Sequence, residues 1–253
     1  MLIEDVKRLL VFAAHPDDET IGCGALLQRV SSSLIVFAVD GAPAGYGFER
    51  KFGSLENYSK ERFNEAGRAL SLLRNCSVQR LKTRSETYFP DRHLFEHLED
   101  AAASLTAIAQ TYLPDVIVSH AYEGGHIDHD ACSLLAKHTA NTLALQHFEF
   151  PLYWKNENGK DVFQEFRNAQ EREIVLHASE MEIALKNKML SEYKTQRDIV
   201  AVFSANTERF RLARFCNHAQ PSWKLSYPGN WRSRRDAKAA LKRFSEFCNL
   251  PGS

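Results

Sequence analysis

Cysteine is sparse and unpaired in this chain: Cys23, Cys76, Cys132, Cys216 and Cys248 are odd in number and include no Cys-x-x-Cys spacing. That argues against a disulfide framework or a cysteine-built zinc site and suits reduced thiols in a cytosol. Net charge is missing as well. Its 32 basic and 32 acidic residues cancel, so no global field points to nucleic acid or to an anionic membrane. No apolar run is long enough to span a bilayer, and the stretch from Met1 to Lys7 is charged rather than signal-like. A cytoplasmic protein without an integral membrane segment is therefore expected. Internal repeats and low-complexity tracts are absent too. The 253 residues suffice for a single α/β core with a peripheral extension.

What the chain does have is a βα alternation. The run from Leu9 to Ala13 is short, continuous and rich in β-formers, as a strand covered on both faces requires. Similar runs at 34–39 and 115–120 predict further buried strands, with shorter ones at 77–82 and 148–153. Helices are predicted over 19–28, 94–112, 131–147 and 179–193. In the last of these, Met181, Ala184, Leu185 and Met189 repeat at core spacing. Residues 41–52, with three glycines and three aromatics, read as a loop able to wall a binding site, and 155–160 as a hairpin tip.

Two clusters carry chemistry. Directly after the first strand stands Ala14-His15-Pro16-Asp17-Asp18-Glu19, where the chain turns into a helix. Open α/β sheets hold their ligands at such strand ends. His15 and Asp18 are three residues apart across a turn stiffened by Pro16, so their side chains can converge on a divalent metal. Asp17 then points elsewhere and is free to handle a proton. The plain alternative is that the acidic residues only complement a helix start. The second cluster, Gly124-Gly125-His126-Ile127-Asp128-His129-Asp130, follows another buried strand and precedes another helix. One of its two histidines can ligate while the other faces substrate. Two surface histidines at a helix start are the alternative, and two such clusters on two strand ends make coincidence a poor account.

Together, Ala-His-Pro-Asp-Asp-Glu and Gly-His-x-Asp-His resemble the motif pair of the PIG-L (LmbE-like) family of metal-dependent N-deacetylases, from about Arg8 to about Arg211. Val39-Asp40-Gly41-Ala42, the helix with Glu61-Arg62 and Glu65-Ala66, and Tyr193-Lys194-Thr195-Gln196 agree with it. The resemblance implies His15, Asp18 and His129 as metal ligands, Asp17 as general base, and His126 as electrophile and acid with Asp128 as its partner. Two imidazoles, one carboxylate and an open position suit a catalytic Zn²⁺, with Fe²⁺ able to take the same ligands. Water on such a metal is acidic enough to supply hydroxide near neutrality. Asp17 takes its proton, and the metal with His126 stabilises the oxyanion.

Arg62, at the edge of an apolar helical stripe, matches an arginine position of the family, and the resemblance implies a substrate-binding role at the mouth of the pocket; a solvated helix face is its alternative. Asp40 either lines the pocket or serves its Asp-Gly turn. Trp223, Tyr227 and Trp231 either stack on a sugar or pin the tail, the second preferred. The basic run Arg232 to Arg235 reads as a solvated helix start.

Three rivals remain: a non-haem iron oxygenase, which also uses two histidines and a carboxylate and for which His126-Ile127-Asp128 has the form; a non-catalytic metal-binding relative; and an amidase acting on a larger N-acyl conjugate. The expectation is a Rossmann-like three-layer α/β fold, mostly parallel, with the metal at the C-terminal ends of the strands. Residues 1–215 form the deacetylase domain, and 216–253 form an extension packed on it. The expected reaction is zinc-dependent removal of an N-acetyl group from a small-molecule amino sugar or glycoconjugate.

Overall fold

The first apolar run becomes β1 (Arg8–Ala13), buried at every residue after Arg8. A strand with no polar alternation is stable only when both faces are covered. In the computed structural model, which describes residues 3–167, 172–213, 218, 220, 221, 225, 227 and 234–249, the chain continues through α1 (Asp18–Cys23), α2 (Leu26–Arg29), β2 (Ser32–Phe37), α3 (Phe48–Phe52), α4 (Leu55–Leu70) and β3 (Cys76–Arg80). Then come α5 (Leu98–Tyr112), β4 (Val116–His120), α6 (Ile127–Leu143), β5 (Gln146–Phe150), and a hairpin of β6 (Tyr153–Lys155) and β7 (Asp161–Phe163). The remaining elements are β8 (Ile174–His177), α7 (Glu180–Leu190), α8 (Arg197–Val200), β9 (Thr207–Leu212) and α9 (Arg234–Cys248).

Seven strands form one sheet in the order β3-β2-β1-β4-β5-β9-β8. The first five pair in parallel, and β9 and β8 close the edge antiparallel. Alternate residues of β1 feed opposite faces. Leu9, Val11 and Ala13 pack with Ile21, Leu26, Ala66 and Met189, while Leu10 and Phe12 pack with Leu105, Leu135, Phe244 and Phe247. Helices therefore cover both faces, as the three-layer expectation required. The chain leaves β1 toward β2 on one side and reaches β4 on the other. The crevice between the C-terminal ends of β1 and β4 is thus the topological switch point, where such sheets bind ligands.

Several elements depart from the sequence expectation. The helix predicted over 19–28 is broken in two by a fully buried ion pair. Lys186 Nζ donates to the Ile21 carbonyl at 2.8 Å and to Glu208 Oε1 at 2.6 Å. Glu208 in turn accepts from the amides of Ala25 and Leu26 at 2.7 and 2.9 Å. The pair thus captures both ends of the 21–25 rung of the helical ladder. Lys186 also explains why Met181 is 83% exposed: the inward face of α7 runs through Lys186, Met189 and Leu190. Helix α6 starts four residues before the predicted 131, because His126 caps it by accepting from the Asp128 amide. Pro151 ends β5, so Tyr153 joins a separate hairpin. The tail's Tyr227 hydroxyl donates to Asp130 Oδ2 at 2.8 Å. Trp223, Trp231, Arg232 and Ser233 lie outside the described residues, as do the side chains of Arg234 and Arg235. No described helix is long and apolar enough to cross a membrane.

Candidate active site

Both clusters arrive at the switch point, one from β1 and one from β4. Ala14 donates its amide to His120 Nε2 at 3.0 Å, tying the two strand ends together. Asp18 opens α1, and its Oδ2 accepts from the His15 amide at 2.8 Å. The same oxygen lies 3.2 Å from His15 Nδ1 and 3.4 Å from both His129 Nε2 and His120 Nε2. Among the described residues, three groupings bring donor atoms within 4.8 Å of one another: His15, His126 and His129; His15, Asp91, His126 and Asp128; and Asp18, His120 and His129. The expected trio of His15, Asp18 and His129 is spread over the first and third of these. All the residues are buried. So many nitrogen and carboxylate donors in one buried place fit a divalent cation of the zinc or iron kind.

Charge is distributed unevenly across the cluster. Burial opposes the Asp18 charge, but His129 and His120 outweigh it and hold the carboxyl well below its ordinary range. Burial pushes Asp17 up to about 8, against the pull of Arg62. Burial also lowers His15, but Asp91, Asp128 and Asp18 around it reverse the sign and raise it. His120 falls to about 3 through burial and the neighbouring His129, and His126 is lowered by burial, His15 and His129.

Asp17 is in none of the three donor groupings. Its backbone lies at φ 134°, ψ −34°, a region that costs a non-glycine residue about 1–3 kcal/mol. Arg62, buried on α4, donates to Asp17 Oδ2 at 3.1 Å, to the Pro16 carbonyl at 2.9 Å and to the Gly41 carbonyl at 2.8 Å. Gly41 is at φ 66°, and a Cβ there would sit 3.1 Å from that guanidinium. Arg62 is therefore inside the site rather than on a solvated face.

Asp40 lies behind the pocket wall. Its Oδ1 accepts from the amides of Ala42 and Asp91 at 3.0 and 2.9 Å, which fastens the turn and the 89–92 segment to each other. The Asp128 carboxylate does not turn to the His126 ring. It accepts from the amides of Arg92 and Leu94 at 2.6 and 3.3 Å and lies 3.5 Å from His15 Nε2. The link from residue 128 to His126 is its own amide, donated to Nδ1 at 3.2 Å.

A cavity of about 270 Å³ opens over this floor. Asp17, Arg62, Asp91, Arg92, His126 and Tyr153 are among the residues that line it. Sequence reasoning missed His120 and Asp91. His120 had a usable signal, being a polar residue at the C-terminal end of a parallel strand. Asp91 had none: it reaches His15 Nε2, 3.5 Å away, from an irregular segment. Its Oδ1 is buried with no hydrogen-bond partner.

A doubly wound sheet with a buried His/Asp cluster at its switch point defines a class: an α/β enzyme able to hold a divalent metal. Residues 10–140, over half of the chain, match the family model PIG-L, described as GlcNAc-PI de-N-acetylase. The chain belongs to that family and is an N-deacetylase hydrolase. No curated protein matches it. Among solved structures it is similar to the zinc-inhibited form of teicoplanin deacetylase Orf2, with 15% identity over 83% of this chain and 100% of the other and a TM-score of 0.60. It is similar to N,N'-diacetylchitobiose deacetylase from Pyrococcus horikoshii, with 16% identity over 83% and 85% of the two chains and a TM-score of 0.56. It is also similar to GalB, the 4-carboxy-2-hydroxymuconate hydratase from Pseudomonas putida KT2440, with 15% identity over 83% and 97% and a TM-score of 0.53. At these identities the likeness is one of fold.

Proposed function

We propose that this chain is a zinc-dependent hydrolase that removes an N-acetyl group from an amino-sugar-containing substrate, with His15, Asp18 and His129 holding the metal. The observation that carries this reading is a strained, arginine-held carboxylate, Asp17, opening into the same pocket as a buried donor cluster. Family membership supports the reaction class, and the deacetylases of like fold support an acetylated sugar or glycoconjugate as substrate. Residues 1–215 are taken as the deacetylase domain and 216–253 as an extension packed on it.

A cation held by His15, Asp18 and His129 would supply Lewis acidity to the acetamide carbonyl and to water, and its charge would favour the ionised form of Asp17, which burial pushes up to about 8. Arg62 occupies Asp17 Oδ2, which leaves Oδ1 to take the proton from the attacking water. His126 accepts the Asp128 amide at Nδ1, so its ring proton resides on Nε2. That N–H acts as a neutral donor to the developing oxyanion, and such donors contribute about 3–4 kcal/mol. With His126 neutral, Asp17 returns its proton to the leaving amine. Asp91 and Asp128 orient His15 through Nε2. Asp91 Oδ1 accepts no hydrogen bond, with Arg92 Nε 3.7 Å away as an ion-pair partner, and is suited to accept from a sugar hydroxyl.

The test is amine and acetate release from free, nucleotide-linked, lipid-linked and thiol-linked N-acetyl sugars by the zinc-loaded protein. Turnover of one member, reduced about 10²–10⁴-fold in Asp17→Asn with zinc retained, is the expected result. Turnover by Asp17→Asn close to that of the wild type removes Asp17 as base. Zinc binding with no release from any sugar refutes the amino-sugar assignment.

A further inference from the structure

The strained backbone of Asp17 is imposed from three directions. Its carbonyl accepts from Thr20 and Ile21 at 3.1 and 3.0 Å as α1 begins. Its carboxylate is held by Arg62. Its amide donates to Glu19 Oε2 at 3.0 Å. Glu19 is fully buried and absent from the pocket wall. Its other oxygen accepts from Thr20 Oγ1 at 2.6 Å and from the Tyr193 hydroxyl. Tyr193, just beyond α7, is itself buried. A buried carboxylate is costly unless its oxygens are bonded, and this one directs a whole oxygen at the amide of the one residue in the motif with a positive φ.

We propose that Glu19, fixed by Thr20 and Tyr193, is a positioning residue that locks the Asp17 backbone at its positive φ and thereby aims the Asp17 carboxylate into the pocket. The proposal rests on the reading of Asp17 as the base. Without Glu19 the Asp17 amide loses its acceptor, the backbone relaxes to negative φ, and the carboxylate swings away from the cluster. His15 and Asp18 remain held by their own bonds, so metal binding survives. Glutamine at 19 keeps an amide oxygen able to accept from Asp17, and alanine does not.

The experiment compares zinc-loaded wild type, Glu19→Gln, Glu19→Ala, Asp17→Asn and the Asp17→Asn/Glu19→Ala double variant. Crystal structures give the Asp17 backbone, and kinetics use N,N'-diacetylchitobiose and whichever sugar of the panel is turned over. Positive φ persists at Asp17 in Glu19→Gln and is lost in Glu19→Ala. In Glu19→Ala, kcat falls about tenfold or more while KM and zinc affinity stay within about twofold, and Glu19→Gln restores most of the loss. In the Asp17→Asn background Glu19→Ala has no further effect, because Glu19 acts through Asp17. An unchanged Asp17 φ in Glu19→Ala, or an equal loss in both backgrounds, overturns the proposal. Full activity of Asp17→Asn instead overturns the base reading and leaves the backbone result standing. If Glu19→Ala does not fold, Tyr193→Phe carries the test: faster hydrogen exchange at the Asp17 amide supports the proposal, and unchanged exchange overturns it.

Discussion

Replacing Glu123 by glutamine should make stability less dependent on pH. Glu123 begins the loop that presents His126, and it is buried. Its Oε2 accepts from the Leu152 amide at 2.9 Å, while Oε1 has no hydrogen-bond partner. Burial, reinforced by Asp130 and Glu149, pushes its carboxyl up to about 8 from 4.5. Below pH 4.5 the folded and unfolded chains both carry the proton. Between 4.5 and about 8 only the folded chain keeps it, so stability falls with each unit of pH, by about 1.4 kcal/mol. Above 8 both states are ionised and the loss levels off. Over that window the Glu123 contribution lost amounts to about 4–5 kcal/mol. Glutamine has the same shape and no charge, so the difference between the two proteins isolates this group. Urea unfolding of both at pH 5 and pH 8.5, with equal zinc, gives the answer. The variant should gain several kcal/mol on wild type between the two pH values. Parallel pH profiles would refute the account of Glu123 as a carboxyl that ionises only at a cost.

Other outcomes are expected. His129→Ala should lose zinc affinity by a factor of about 10 or more while His126→Ala keeps it, by titration calorimetry; equal losses would undo the ligand assignment. A methyl at Gly125 overlaps the Tyr153 carbonyl oxygen, so Gly125→Ala should cost about 1–3 kcal/mol in urea unfolding and displace the β6–β7 hairpin from the pocket. An unaltered midpoint would mean that the hairpin yields freely. Ser179 and Glu182 form a reciprocal cap on α7, and Ser179→Ala should cost about 1 kcal/mol by the same assay, with kcat unchanged.

The two motifs were legible because each packs its chemistry into six or seven consecutive residues at a strand end. Burial on both faces made β1, β2 and β4 readable from their apolar runs. Strand β9 was not read, since Glu208, Arg209 and Arg211 interrupt it with charge. The fold answers each one: Lys186 meets Glu208, Glu173 meets Arg209 and Glu149 meets Arg211. Those partners lie 22 to 62 residues away, beyond any local pattern. Asp91 stayed hidden for the same reason, because its meaning comes from His15 across the crevice, whereas His120 carried a local signal as the last residue of β4. The role expected for the Asp128 carboxylate rested on proximity in sequence. In the fold its first-turn position in α6 sends that carboxylate to Arg92 and Leu94 instead.

The Lys186–Glu208 pair that interrupts the α1–α2 ladder also limits how this chain can change over time. Loss of either partner strands a charge where neither side chain is exposed, a defect of about 3–5 kcal/mol, whereas exchanging both for apolar residues of similar volume avoids that penalty only if the freed Ile21 carbonyl and Ala25 amide then pair with each other. Either single substitution, at 186 or at 208, therefore destabilises the fold. Because Lys186 also occupies the Ile21 carbonyl, the double exchange would have to restore the missing helical rung and so reshape the far end of the segment that begins with Asp18.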